Sequence, residues 1–367
     1  MTTIPTSAPD DLPGPLMTDE AYGALRASAA LWAGVSVLIT DSCGRVLVQH
    51  VDYRTTCLLP GGGIDAGESP SHAAARELHE ELGVTMTIAH GLAVDWVSPT
   101  NSSAPAVMRF PGEAIFVYDG GTWTDDRIDA VCLPEQEITS IELVEPARLP
   151  DLLSPSDARR AMSALRARLN GGGPVLLEDG HPIAPTVLDR VGVLRTARDQ
   201  SHYEFRTGPV PTALLTVRQS WGWLFAPDGR VLVLLEPDTG AACLPGGTPE
   251  PEDQDSPVAT LIREADEEAA AQLGDPHYLG YLTADGDPYA RLRYAAALRS
   301  IGPMRADPAT GRMYTRVLAT PEQALELFNW GPPAADQLAA VHHARERLGI
   351  PRAPRQSFTE LTGPTSW

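Results

Sequence analysis

Glu77, Glu80 and Glu81 stand at positions i, i+3 and i+4 in a run of Ala, Leu and Glu. That composition favours helix, and on a helix the three carboxylates point to one side. Like charges a few ångströms apart repel and push one another's pKa upward, so the cluster calls for a cation to share it. Hard divalent ions with oxygen ligands, Mg²⁺ above all and Mn²⁺ as its alternative, suit that need. Arg76 lies beside the three and can fix a carboxylate through a two-pronged contact. Gly61, Gly62 and Gly63 precede the run, where bare main chain can approach a ligand or metal closely. A Glu-rich helix taken alone is more often a solvated acidic face. The spacing of the whole segment decides against that reading.

Residues 62–84 read GGIDAGESPSHAAARELHEELGV. They match G-x5-E-x7-R-E-U-x-E-E-x-G-U, with U aliphatic, at Gly62, Glu68, Arg76, Glu77, Leu78, Glu80, Glu81, Gly83 and Val84. Seven fixed identities at ordinary residue frequencies arise by chance about once in 10⁸ positions. The segment resembles the signature of the Nudix hydrolase family with no departure. The resemblance implies an α/β/α sandwich with a mixed sheet and hydrolysis of a nucleoside diphosphate linked to a moiety X. It implies that Glu77, Glu80 and Glu81 bind Mg²⁺ with the Gly61 carbonyl, that Arg76 orients the glutamates, and that Glu68 supports the loop or an outer metal ion. The general base is a box glutamate or one of Glu113, Glu135 and Glu137. For X, the resemblance ranks nucleotide sugars or ADP-ribose first, because in the family a proline at about the distance at which Pro99 follows Gly83, 16 residues, goes with those substrates; (d)NTPs come next and other dinucleotides last. Two rival readings are a catalytically silent nucleotide-binding regulator on the same fold, and the family's isoprenoid isomerase branch. The second needs a catalytic cysteine, and Cys57 does not match that role.

The elements around the segment recur. GRVLV occurs at 44–48 and again at 229–233, an offset of 185. Leu59-Pro60-Gly61-Gly62 returns as Leu244-Pro245-Gly246-Gly247 at that offset, and Arg76-Glu77-x-x-Glu80-Glu81 returns as Arg263-Glu264-x-x-Glu267-Glu268 at 187. Three matches in one order mark a duplicated unit. In each, a strand, a Gly-containing turn and a second apolar strand lead through the Pro-Gly-Gly loop into a helix. The helices are placed at about 71–82 and 257–273. Strands follow at 114–118 and 138–144, and at 294–298 and 314–318; closing helices fall at 156–169 and 334–348. The second copy is degenerate. Its x5 acid has four competing counterparts (Glu250, Glu252, Asp253, Asp255), and Ala270 replaces Gly83, which puts the turn after that helix in doubt. Glu264, Glu267 and Glu268 remain as metal candidates.

The expected architecture is α/β, with two sandwich domains and mixed sheets. It comprises an N-terminal arm and helix (1–30), domain 1 (31–183, box 62–84), a connector (184–211), domain 2 (212–350, degenerate box about 247–271) and a flexible tail (351–367). The two domains are expected to pack as a pseudo-dimer, with a homodimer as the alternative. The chain has 367 residues and a net charge of −20, which argues against nucleic-acid polymers and anionic membranes as partners and leaves a small nucleotide substrate. All 28 basic residues are arginine, so lysine chemistry is excluded. The four cysteines, 43, 57, 132 and 243, lack zinc spacing and read as reduced thiols of a cytoplasmic protein. His72 and His79 read as surface groups, and Trp96, Trp123, Trp221 and Trp223 as fillers of sheet faces.

Overall fold

A computed structural model of the chain describes residues 18–28, 31–100, 112–134, 137–190, 203–328 and 333–367. Of the expected N-terminal arm, residues 1–17 lie outside them; Asp19–Ser28 is a helix. Among the described residues the first half holds seven strands: β1 (Trp32–Asp41), β2 (Val46–Val51), β3 (Gly91–Val97), β4 (Glu113–Trp123), β5 (Ile138–Val144), β6 (Val175–Glu178) and β7 (His181–Pro182). They form one sheet in the order β5-β2-β1-β4-β3-β6-β7. β1 runs parallel to β4, and β3 to β6, while the remaining neighbours are antiparallel, so the sheet is mixed.

Alternation along β1 sends its side chains to two layers. Val35, Val37 and Ile39 pack under the helix Pro70–Leu82, against Ala73, Ala74, Leu78 and Leu82. Leu38, with Val46 and Val48 of β2, packs under the helix Pro155–Asn170, against Ala158, Ala161, Met162 and Leu165. Both faces of one sheet are covered, which is the α/β/α arrangement.

The second half repeats the plan with different edges. Its sheet runs Thr359–Glu360, Thr315–Ala319, Val231–Leu235, Thr216–Phe225, Tyr289–Ile301, His277–Ala284, Tyr203–Arg206. The central pair, Thr216–Phe225 and Tyr289–Ile301, is again parallel. Leu224, Leu232 and Leu234 face Ala265 and Ala269 of the helix Pro257–Ala269. On the other face Trp223, Phe225, Val231 and Val233 meet Val341 and Ala344 of the helix Pro333–Arg347.

The two halves are joined by more than a chain crossing. Leu169, Val187 and Leu188 belong to the second half's core. The C-terminal carbonyls of the Pro155–Asn170 helix are capped from the second half. Gln323 Nε2 donates to Leu169 O and Asn170 O at 3.0 Å each, and Arg355 Nη2 donates to Arg168 O at 2.8 Å. Asn170 Oδ1 accepts from Phe358 N at 3.0 Å.

Several sequence expectations change. The tail 351–367 is not loose. Thr359–Glu360 and Thr365–Ser366 add to the second sheet, and Ala353, Phe358 and Leu361 are buried. Part of the presumed connector, Tyr203–Arg206, is likewise an edge strand there. The second motif helix ends at Ala269, four residues early, because Ala270 turns into the left-handed region at φ +51° and residues 271–273 leave as a strand. Gly83 makes the same turn at φ +68°, so glycine's loss did not abolish it. The alanine carries the strain instead. In the first half a β-carbon on Gly83 would also press on Cys132 Cβ at 3.1 Å. Gly83→Ala is therefore expected to fold but to lose about 1–2 kcal/mol, read from the urea midpoint. An unchanged midpoint would mean that this turn carries no strain.

Candidate functional site

The glycine loop is stitched to β1 by main-chain bonds. Val35 N donates to Gly62 O and Val37 N to Pro60 O, both at 2.8 Å. This register forces glycine twice. At φ +140° a β-carbon on Gly61 would sit 2.2 Å from Val35 O, and one on Gly62 would sit 2.5 Å from Glu77 Oε1. The loop thus lies directly against the glutamate helix. Ser69 caps that helix, Pro70 fits its first turn, and Gly83 closes it.

Arg76 is the hub. Its Nε and Nη2 grip the two Glu68 oxygens at 3.1 and 3.0 Å, and Nη2 also donates to Gly63 O at 2.9 Å. Nη1 is shared by Glu77 Oε1 and Glu80 Oε2, each at 2.9 Å. Hydrogen bonds from Arg76 hold the Glu68 carboxyl below the usual range. Burial pushes Glu77 up. Glu81 points elsewhere. Its Oε2 accepts from Gly61 N at 2.8 Å and from Gln49 Nε2 at 3.1 Å. Burial raises it to about 8 against those bonds, with the charges of Glu77 and Glu137 adding to the rise.

Glu77 and Glu80 therefore meet on Arg76, whose guanidinium neutralises part of their charge, while Glu81 of the same helix is held by the glycine loop. Among the described residues no three His, Cys, Asp or Glu side chains already enclose a point as a finished metal cage; here Glu77 and Glu80 turn to Arg76 and Glu81 to Gly61. The donor set still fits a hard divalent cation. It offers carboxylate oxygens, and Gln49 Oε1, wholly buried beside Glu81, has no hydrogen-bond partner among the described residues. Gln49 was missed from the sequence. It lies on β2, 32 residues from Glu81, and no local spacing links the two.

Of the base candidates, Glu135 lies outside the described residues. Glu137 is exposed, adopts φ +72°, and is close enough for its charge to act on Glu81. Strained non-glycine backbone of this kind gathers at functional sites. Glu113 opens β4, with Oε1 3.7 Å from where a β-carbon on Gly34 would stand, beside the Gly62 carbonyl. His72 and His79 are exposed, Trp123 and Trp223 are core residues, and Trp96 is 43% exposed.

The second half rebuilds most of this. Asp253 supplies the counterpart of Glu68. Arg263 Nε and Nη2 hold its two oxygens at 3.0 and 3.1 Å, while Nη1 reaches Glu267 at 2.8 Å and Nη2 reaches Glu264 at 3.1 Å. Burial opposes it, yet the bonds from Arg263 keep Asp253 low. Arg263 Nη2 donates to Thr248 O as Arg76 does to Gly63 O. Gly246 N donates to Glu268 Oε2 at 2.9 Å, and burial lifts Glu268 to about 8. A β-carbon on Gly247 would strike Glu264 Oε1 at 2.3 Å. The register between Gly246 and the helix thus survives the two inserted residues. What differs is the strand beneath: Leu234 stands at the place of Gln49.

A family model described as the NUDIX domain matches residues 30–165. The RNA pyrophosphohydrolase of Novosphingobium aromaticivorans is 32% identical over 144 residues, covering 34% of this chain and 84% of that protein. Those of Azorhizobium caulinodans and Rhodospirillum rubrum are 44% and 37% identical over 71 and 65 residues, 17% of this chain in each case; the chain spans 42% and 39% of their lengths. Among solved structures, the MutT protein of Methanosarcina mazei is 22% identical with a TM-score of 0.30, covering 38% of this chain and 95% of its own. An ADP-ribose pyrophosphatase of Streptococcus suis is 17% identical with a TM-score of 0.30, covering 40% and 98%.

Proposed function

The chain belongs to the NUDIX family, and from that premise we propose that its first half is a divalent-metal-dependent hydrolase of phosphoanhydrides in small nucleotides. ADP-ribose or a nucleotide sugar is the favoured substrate, and (d)NTPs come next. The observation that carries the reading is one helix whose Glu77 and Glu80 share Arg76 while its Glu81 is held against Gly61 of the glycine loop. In this reading the three glutamates hold Mg²⁺ (or Mn²⁺), Arg76 orients Glu77 and Glu80, and Glu68 braces Arg76. Gly61 N fixes the rotamer of Glu81, and the Gly61 carbonyl stands as a further ligand. When bound, the cation neutralises charge on the pyrophosphate and acidifies a water for attack at phosphorus. Glu137, whose charge reaches Glu81, is the favoured acceptor of that water's proton.

The second half, read as a degenerate NUDIX unit, holds its metal candidates Glu264, Glu267 and Glu268 in a similar frame. We assign catalysis to the first half, because the second has Leu234 where Gln49 stands and no residue at the place of Gly83 except strained Ala270.

One observation favours a second substrate: the relatives named above are RNA pyrophosphohydrolases. A net charge of −20 opposes an RNA polymer as ligand. A panel of ADP-ribose, nucleotide sugars, (d)NTPs and a 5′-triphosphorylated oligoribonucleotide, assayed with pure protein and Mg²⁺, tests both. Mononucleotide release from the first two classes is the expected result. Pyrophosphate release from the oligonucleotide alone would transfer the assignment to RNA ends. Ligand-induced thermal shifts with no turnover on any substrate would favour the silent regulator.

A further inference from the structure

Gln49 is a polar side chain that the fold has no need of. It lies on β2, fully buried, between the sheet and the glutamate helix. Its main chain is satisfied by exchange with Leu58, at 2.8 and 3.0 Å. Of its side-chain amide, Nε2 donates to Glu81 Oε2, and Oε1 has no partner among the described residues. Once Glu81 is ionised, as a metal ligand must be, the reverse amide orientation would set an oxygen against its carboxylate, so the nitrogen faces it. A buried acceptor left unpaired costs stability that an apolar residue of similar size would not.

The second half shows that the position does not require an amide. Val46 pairs with Thr40, and Val231 pairs with Phe225, both displaced by 185 residues. In that common register Gln49 corresponds to Leu234, which is fully buried in the same kind of strand under the same kind of helix. Glu268 there keeps the Gly246 bond and lacks the amide bond. The amide thus belongs to the first site's chemistry and not to the sheet.

We propose that Gln49 is a positioning residue for the metal carboxylate of the first half. Its Nε2, together with Gly61 N, saturates one Glu81 oxygen and turns the other toward the cation, while its unpartnered Oε1 accepts a hydrogen bond from the cation's water. The inference rests on the metal-binding reading above. Both amide atoms then have work, and the cost of burying the amide is balanced by a better ordered site.

Mn²⁺ binding to the full chain, followed by the electron paramagnetic resonance of the free ion and by water-proton relaxation of the bound ion, tests this directly. Gln49→Met keeps the length of the side chain and removes both amide atoms. It is expected to weaken the first-half Mn²⁺ site about tenfold and to change the relaxation of the bound ion's water. Gln49→Leu, which copies the other half, is expected to do the same and serves if the methionine variant folds poorly. Leu234→Met is expected to leave both readings unchanged. If wild type binds no Mn²⁺, or Glu81→Gln binds it as well as wild type does, the metal reading itself falls. If those two controls behave and both Gln49 variants bind and relax like wild type, the inference about Gln49 alone is overturned.

Discussion

Glu81→Gln is expected to lower kcat by about 10²–10³-fold while making the metal-free protein more stable. The two effects share a cause. Glu81 is held against the Gly61 main chain under the helix, where burial raises its pKa to about 8. A carboxyl raised above its unfolded value near 4.3 binds its proton more tightly in the folded state. The folded state is therefore favoured fully below pH 4, and it loses stability as pH rises toward 8. Glutamine keeps the acceptor for Gly61 N and removes the charge. The gap in Tm between variant and wild type, measured with chelator, should widen from pH 5 to pH 9. Saturating Mg²⁺ should reverse the gap, since only wild type then gains binding free energy. Glu268→Gln should show the same pH-dependent gain, because Glu268 is lifted to about 8 in a like setting, yet it should leave kcat nearly unchanged. Equal kcat losses from the two variants would make both halves catalytic. Full activity of Glu81→Gln would end the assignment of chemistry to this helix.

Removal of Arg76 should be the most damaging single change to the fold of the site. Five acceptor atoms converge on its guanidinium: both Glu68 oxygens, Glu77, Glu80 and the Gly63 carbonyl. Glu68 and Glu77 are 16% and 13% exposed, so neither carboxylate can recover its hydration where it stands. Breaking such a partly buried network by deleting one partner costs about 3–5 kcal/mol when fully buried, and about 2–4 here, where Arg76 itself is 27% exposed. Arg76→Ala should therefore lower Tm sharply, and activity by at least about a hundredfold, with no recovery in excess Mg²⁺. Arg76→Lys should restore part of the stability and little of the activity, because an ammonium cannot span Glu68 with a fork while bridging Glu77 and Glu80. If Arg76→Ala melts like wild type, the hub described here contributes nothing to the fold.

Much of the site was legible from sequence because its contacts are local. Glu77, Glu80 and Glu81 share a helix, and Arg76 reaches Glu68 across eight residues of one loop and turn. Helical periodicity and glycine's freedom govern such short spans, and both are written in residue order. The same logic found the central strands and the recurrence at residues 229–268. It failed where the decisive partner was remote. Four acids competed for the role of Glu68 in the second half. Only the loop's path, with Asp253 bonded to Arg263 and Thr260, chose among them. Gln49 was overlooked because its value depends on which helix lands on β2. The C-terminal stretch looked loose, being proline-rich, yet Phe358 and Leu361 find a sheet edge and a core made by residues far upstream.

What the sequence determined alone was the chemistry on offer: acids at helical spacing, an arginine beside them, and glycines where no side chain fits. The tertiary structure decided how that chemistry is arranged and paired. It set Glu81 apart on Gly61 and Gln49, gathered Glu77 and Glu80 on Arg76, gave the second half the same frame without the amide, and closed the first half's helix with residues 323, 355 and 358 of the other. The division follows from range. Backbone preference and i to i+4 geometry act within a few residues, whereas burial and desolvation depend on every element that packs nearby, and those are brought together only when the chain has folded.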